Sequence, residues 1–178
     1  MRAIGTTRSY VIMGAAGSGK STVGAALAQA LGLEFVEGDA FHPASNIQRM
    51  AAGIALTDAD RAPWLEALAA RLRAGEQAGV GLVMACSALK RAYRDVLLAG
   101  TAGLTFIYLH GDRRLLAGRL SQRPGHFMPP SLLDSQLAAL EPPAPGEAAW
   151  SYDISQSPQE IVASVIARIA ATPAVRPS

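Results

Sequence analysis

The sequence has one cysteine, two lysines and few charged residues of either sign, and no long apolar run. The single thiol, Cys86, cannot close an internal disulfide. With His42, His110 and His126 lacking any zinc-like spacing, it cannot build a dedicated transition-metal site either. It sits in the apolar run LVMACSAL, which reads as a buried, reduced thiol and suits the cytosol. No stretch approaches the roughly 20 apolar residues of a membrane span, and the opening residues lack an apolar signal segment with a cleavage site. We therefore expect a cytoplasmic protein with no membrane partner. Sixteen basic against fourteen acidic residues leave a formal charge of +2, too small an excess for a nucleic-acid-binding face. A chain that is 50% hydrophobic and only 17% charged is neither disordered nor a coiled coil. Lysine scarcity is itself a pointer: only Lys20 and Lys90 stand beside fourteen arginines, as if kept where a compact ammonium is needed instead of a planar fork.

What is present is an alternation of strand and helix. SYVIM (9–13) reads as a buried strand, followed by a Gly-rich turn and a helix with Val23, Ala26, Leu27, Ala30 and Leu31 on one face and Gly32 as C-cap. A strand at 33–36 precedes helices at 43–52 and 58–74, the latter capped by Thr57 or Asp58. Strands follow at 81–88 and 104–111 and, more weakly, at 150–155. The intervening helices end at Gly100, near Gln122 and near Leu140, and the last carries Ile161, Val162, Val165, Ile166 and Ile169 on one face. Residues 123–130 and 141–147 are too rich in Gly and Pro to be regular, and the tail from 172 reads as frayed. At 178 residues with no linker, this predicts one three-layer α/β domain around a parallel sheet.

GAAGSGKS (14–21) matches the phosphate-loop pattern G-x-x-x-x-G-K-[ST] between a predicted strand and a predicted helix, the context that gives the motif its meaning. Its glycines let successive N–H groups point inward at phosphate oxygens, and the helix N-terminus adds partial positive charge. Lys20 is expected on the β- and γ-phosphates and Ser21 on Mg²⁺, so the chain binds a nucleoside triphosphate.

EGDAFHP (37–43) closes the second strand with carboxylates and an imidazole. A turn explains Gly, Asp and Pro there, but ligands in open α/β sheets lie beyond the carboxyl ends of the strands, which places this segment in the P-loop crevice. Asp39 becomes the candidate general base or an aid to Mg²⁺ placement, while for His42 a capping role stands beside a functional one. Arg61 with Asp58 and Asp60, Lys90 with Arg94, and Arg119, Arg123 and His126 are further charged groups that could gather at this edge to neutralise phosphate and hold an anionic substrate. Trp64 reads as a core anchor of the long helix in preference to a pocket wall.

From about Tyr10 to Ile169 the chain resembles the P-loop gluconate kinases, or gluconokinases of the thermoresistant type, within the nucleoside-monophosphate-kinase-like fold. The resemblance rests on GAAGSGKST, GDAFHP, NIQRM with Gly53, LTDADRAPWL, CSALKRAYRD, FIYLHGD and GHFMPPSLLDSQLAALE, in that order. It implies a P-loop kinase fold with a central, mostly parallel five-stranded sheet and a small helical lid at about 119–130. It also implies transfer of the γ-phosphate of ATP to the 6-hydroxyl of D-gluconate, with Mg²⁺, in a homodimer. Gly14, Ala15, Ala16, Gly17, Ser18, Gly19, Lys20, Ser21 and Thr22 would hold the nucleotide, with Arg119 near adenine. Lys20, Asp39 and Arg123 would carry catalysis, and Asp39, His42, Arg61, Lys90, His126 and Gln136 would meet the sugar acid. CSALK stands where many P-loop ATPases carry a Walker B Asp, so Mg²⁺ must rely on Ser21, with Asp39 as a second candidate. A shikimate-kinase-like enzyme is the nearest rival, opposed by GDAFHP and GHFMP. A nucleotide sensor without turnover is opposed by the intact Lys20, Ser21 and Asp39.

Overall fold

Alternate residues of the first strand, β1 (Ser9–Met13), face opposite ways, and each set meets its own layer of helices in the computed structural model, which describes residues 7–124 and 129–173. Val11 and Met13 pack with Met84, Phe106, Trp64, Leu68, Leu72 and Leu97; Tyr10 and Ile12 pack with Val83, Ile107, Val23, Leu27, Ile161 and Val165. Between the layers lie β1, β2 (Glu34–Glu37), β3 (Leu82–Ala85), β4 (Leu104–His110) and β5 (Ala149–Asp153) in the order β2-β3-β1-β4-β5. All four pairings are parallel. The fifth strand, short of β-branched residues, still pairs with β4 at five positions. Its Trp150 is covered by Arg168, whose guanidinium lies 4.6 Å from the ring centroid.

The helices are α1 (Lys20–Leu31), α2 (Ala44–Ala51), α3 (Asp58–Gln77), α4 (Arg91–Leu98), α5 (Arg113–Ser121), α6 (Pro130–Ala139) and α7 (Pro158–Ala171). Thr57 caps α3 in a reciprocal box with Asp60, and Gly32 at φ 65° closes α1. Among the described residues no helix is long and apolar enough to cross a membrane. Of the tail expected to fray, Thr172 and Pro173 offer their carbonyls to Arg8, and residues 174–178 lie outside the described residues.

Three expectations need correction. The buried face of α1 is Val23, Gly24, Leu27 and Ala28, with Ala26 and Ala30 exposed. A Cβ on Gly24 would stand 2.7 Å from the Phe35 ring, so this helix approaches β2 through a residue with no side chain. The third strand stops at Ala85, short of the expected 88, and the chain then passes through Ala88 at φ 45°. Arg94 is not a crevice cation: it is fully buried, 2.8 Å from Glu147, and it donates to the carbonyls of Ala88 at 2.9 Å and Leu89 at 3.3 Å.

That buried pair anchors the 141–147 loop to the turn that presents Lys90. The Arg94 hydrogen bonds hold the Glu147 carboxyl below the usual carboxylate range. A carboxylate whose folded-state pKa is lowered stabilises above its unfolded pKa, and that support is lost as pH falls through the folded value. Glu147→Gln is therefore expected to destabilise by about 3–5 kcal/mol at neutral pH by leaving a buried guanidinium uncompensated. Thermal melts of both proteins at neutral and acid pH check this: the gap should narrow in acid, and a gap that is absent at neutral pH refutes it.

Candidate active site

The crevice is built at the carboxyl edge of the sheet. β3 lies between β1 and β2, so the loops leaving β1 and β2 face each other across two strand spacings, about 10 Å. The β1–α1 connection is the P-loop. Gly14 has φ 147°, and a Cβ there would lie 2.5 Å from the Leu109 carbonyl oxygen, so only glycine fits beside β4. Gly19, at φ 90°, precedes α1 without any side-chain cap, which leaves the leading N–H groups of the helix directed into the loop.

Lys20 Nζ donates to the Ala15 carbonyl at 3.1 Å, folding the ammonium over the loop. Burial pushes its pKa down, the negative charges of Asp39 and Glu37 act against that, and Arg123 adds to the lowering. Both Asp39 and Arg123, expected near the phosphates, thus lie close enough to act on the P-loop lysine. Arg119, on the last turn of α5, donates to the Ile154 carbonyl and reaches within 4.0 Å of where a Gly19 Cβ would stand. Thr22 is exposed on the first turn of α1.

Ser21 Oγ donates to the carboxylate of Glu37, the last residue of β2. With its proton committed there, the hydroxyl keeps its lone pairs for a hard cation, and the oxygen donors of Ser21 and Glu37 fit Mg²⁺. Glu37 was not singled out by sequence. Its signal was a carboxylate at the last position of a strand that ends beside the P-loop.

The opposite wall starts with a 3-10 turn over Gly38–Phe41. A Cβ on Gly38 would fall 2.2 Å from the Ala85 carbonyl oxygen, and its own carbonyl accepts from Trp64 Nε1 at 2.8 Å, so the turn is pinned against β3 and α3. Asp39 is exposed at this turn. His42 stacks on Trp64 with centroids 4.1 Å apart, and burial lowers its pKa, with Asp39 acting upward and Arg61 downward. It does not cap α2, whose N-cap is Pro43. Trp64, 1% exposed, is the core anchor expected, and its face also carries the imidazole.

Arg61 and Lys90 flank Tyr93, at 5.5 and 5.7 Å from its ring centroid. Lys90 Nζ lies 2.9 Å from Asp58, to which the Tyr93 hydroxyl also donates. Arg61 Nε is buried with no hydrogen-bond partner among the described residues, a donor waiting for an acceptor. Gln136, expected at the sugar acid, accepts the Ala16 N–H of the P-loop at 2.8 Å and so ties α6 to the phosphate cradle. His126 and the centre of the expected lid fall within 125–128, outside the described residues.

Comparison with known proteins gives the same assignment. The AAA_33 family model, described as an AAA domain, matches residues 10–143. The gluconokinase of Gluconobacter oxydans (strain 621H) is 45% identical over 159 residues, 89% of this chain and 89% of that protein. The thermoresistant gluconokinase of Escherichia coli (strain K12) is 42% identical over 158 residues, 88% and 90% of the two chains. The crystal structure of a gluconokinase from Sinorhizobium meliloti 1021 superposes with a TM-score of 0.84 at 48% identity, covering 93% of each chain. With that identity sustained over nearly the whole chain and over the same fold, the protein belongs to the gluconokinase family.

Proposed function

We propose that this protein is an ATP-dependent gluconokinase that moves the γ-phosphate of ATP to the 6-hydroxyl of D-gluconate, releasing ADP and 6-phospho-D-gluconate. The observation that carries the reading is the placement of an intact P-loop across one crevice from a wall presenting Asp39, His42, Arg61 and Lys90. A sugar acid offers one carboxylate and a row of hydroxyls, and that wall answers with Arg61, Lys90 paired to Asp58, an imidazole and the Asp39 carboxylate.

In this reading the loop amides and Lys20 hold the phosphates, Arg119 borders the nucleotide base and Arg123 adds charge over the γ-phosphate. Arg61 and Lys90 receive the carboxylate of gluconate, with His42, Gln136 and His126 completing its surroundings. Asp39 accepts the proton of the 6-hydroxyl as that oxygen bonds to phosphorus and the bond to ADP breaks. Ser21, oriented by Glu37, would hold Mg²⁺, which neutralises charge on the β- and γ-phosphates when bound. A lid over about 119–130 would exclude water, limiting futile hydrolysis. The homodimer belongs to this reading on the strength of the family resemblance, and the cytoplasmic location on Cys86, a free and buried thiol that suits a reducing compartment.

The test is a screen of D-gluconate, other sugar acids, shikimate and nucleoside monophosphates with Mg-ATP, reading ADP release. We expect ADP formation that depends on gluconate, with 6-phospho-D-gluconate as product. A far better acceptor among shikimate or the nucleotides overturns the substrate assignment, and ATP binding with no turnover on any acceptor makes the chain a sensor.

A further inference from the structure

We propose that Asn46 is a positioning residue that fixes His42 as a neutral Nε2–H donor facing the sugar acid. Asn46 is 2% exposed, on α2, in the segment NIQRM to which the proposed mechanism gives no role. Its Nδ2 lies 2.8 Å from the Asp60 carbonyl oxygen and 3.2 Å from His42 Nδ1. The choice of atoms follows from Asp60. A carbonyl only accepts, so the amide atom facing it is the nitrogen, and a flipped amide would set two acceptors against each other in a buried place. The same NH₂ then presents its second hydrogen to His42 Nδ1, which must meet it with a lone pair. The ring proton is consequently on Nε2.

One further contact holds the plane of the imidazole. Trp64 stacks on its face with planes 15° apart, and the indole is itself tied to the Gly38 carbonyl, so the ring cannot swing away from the amide. Asn46 thereby joins the end of the 3-10 turn, α2 and the start of α3 in one hydrogen-bonded unit. Nε2, across the ring from the buried amide, is not among the buried polar atoms left without a partner in the described residues. Asp39 and Arg61 are the charged groups acting on the ring.

The consequence is a division of labour. His42 in this tautomer offers a hydrogen to a lone pair of the substrate, and its one basic nitrogen, Nδ1, is taken up by the Asn46 amide, which leaves the proton of the attacking hydroxyl to Asp39. This step rests on the reading of the crevice as a sugar-acid site, so the test separates the two. Long-range ¹H–¹⁵N spectra of the full chain, with His42 assigned by comparison with His42→Gln, report the tautomer without any substrate. We expect a pyridine-type Nδ1 and a pyrrole-type Nε2 in the native protein. In Asn46→Asp a carboxylate faces Nδ1, so in the neutral ring the proton should move from Nε2 to Nδ1, and the pyridine-type and pyrrole-type signals should exchange places. The KM for gluconate should then rise about ten-fold, as for loss of a well-placed hydrogen bond, with the KM for ATP within about two-fold. Asn46→Ala, run alongside, should give a mixture of tautomers. A native His42 with its proton on Nδ1 overturns the proposal by itself, whether or not the variants fold, as does an unchanged tautomer in Asn46→Asp. A tautomer that switches with no change in the KM for gluconate overturns the placement of His42 on the substrate, leaving Asn46 with only a structural hold on the ring.

Discussion

Asp39→Asn is expected to lower kcat by about 10²- to 10⁴-fold while leaving ATP binding and the melting temperature close to those of the native protein. The asparagine keeps the shape of the side chain and removes its charge. Nothing in the described fold relies on that charge: Asp39 is exposed and takes part in no ion pair among the described residues. The turn is held instead by Gly38 against Ala85 and by the Trp64 indole. Its carboxylate is nonetheless the largest of the charges acting on both Lys20 and His42, one on each side of the crevice. A group so placed suits the base of the proposed reaction. Assays over a range of Mg²⁺ concentrations separate proton acceptance from cation placement, since a defect in placement should be relieved by added Mg²⁺ and a missing base should not. A variant that melts early yet keeps full kcat at low temperature would make Asp39 structural.

The P-loop was legible in the sequence because its constraints are local: glycines at positive φ, a lysine and a serine in eight consecutive residues between a strand and a helix. The alternation of elements was legible for a similar reason, since each strand and helix buries a face that its own periodicity declares. Misreadings arose where a partner distant in sequence decided the outcome. Arg94 after a strand reads as one of several cations that could gather at the crevice until Glu147, 53 residues later, is seen to neutralise it. Gly24 on the buried face of α1 has no apolar side chain to announce it, and its meaning comes from Phe35 in β2. Glu37 and Asn46 went unassigned because what matters is the atom each meets, Ser21 Oγ and the Asp60 carbonyl. The acidic EGDAFHP segment was readable as a site only because the P-loop had already located the crevice.

Lys20→Arg should be nearly as damaging as loss of the base, with kcat/KM for ATP falling by about 10² or more although the charge is kept. The ammonium curls back to within 3.1 Å of the Ala15 carbonyl, inside a loop that α1 and β4 confine. A planar guanidinium is wider and presents its donors in a fixed fork, so it cannot occupy the position of a compact point charge without opening the loop. Burial already opposes the lysine charge, and Arg123 adds a second cation beside it. An arginine, charged at every accessible pH, would face the same burial and the same neighbour with more volume. This also explains why the protein, which uses arginine for fourteen of its sixteen basic residues, keeps lysine here. Lys20→Met separates volume from charge: it should abolish turnover while leaving stability equal or higher, because it removes a charge that burial disfavours. Steady-state kinetics, ADP titration calorimetry and thermal melts on both variants check the argument. Near-native turnover in Lys20→Arg would show that the loop does not clamp the ammonium. A marked loss of stability in Lys20→Met would show that the charge supports the fold as well as the phosphates.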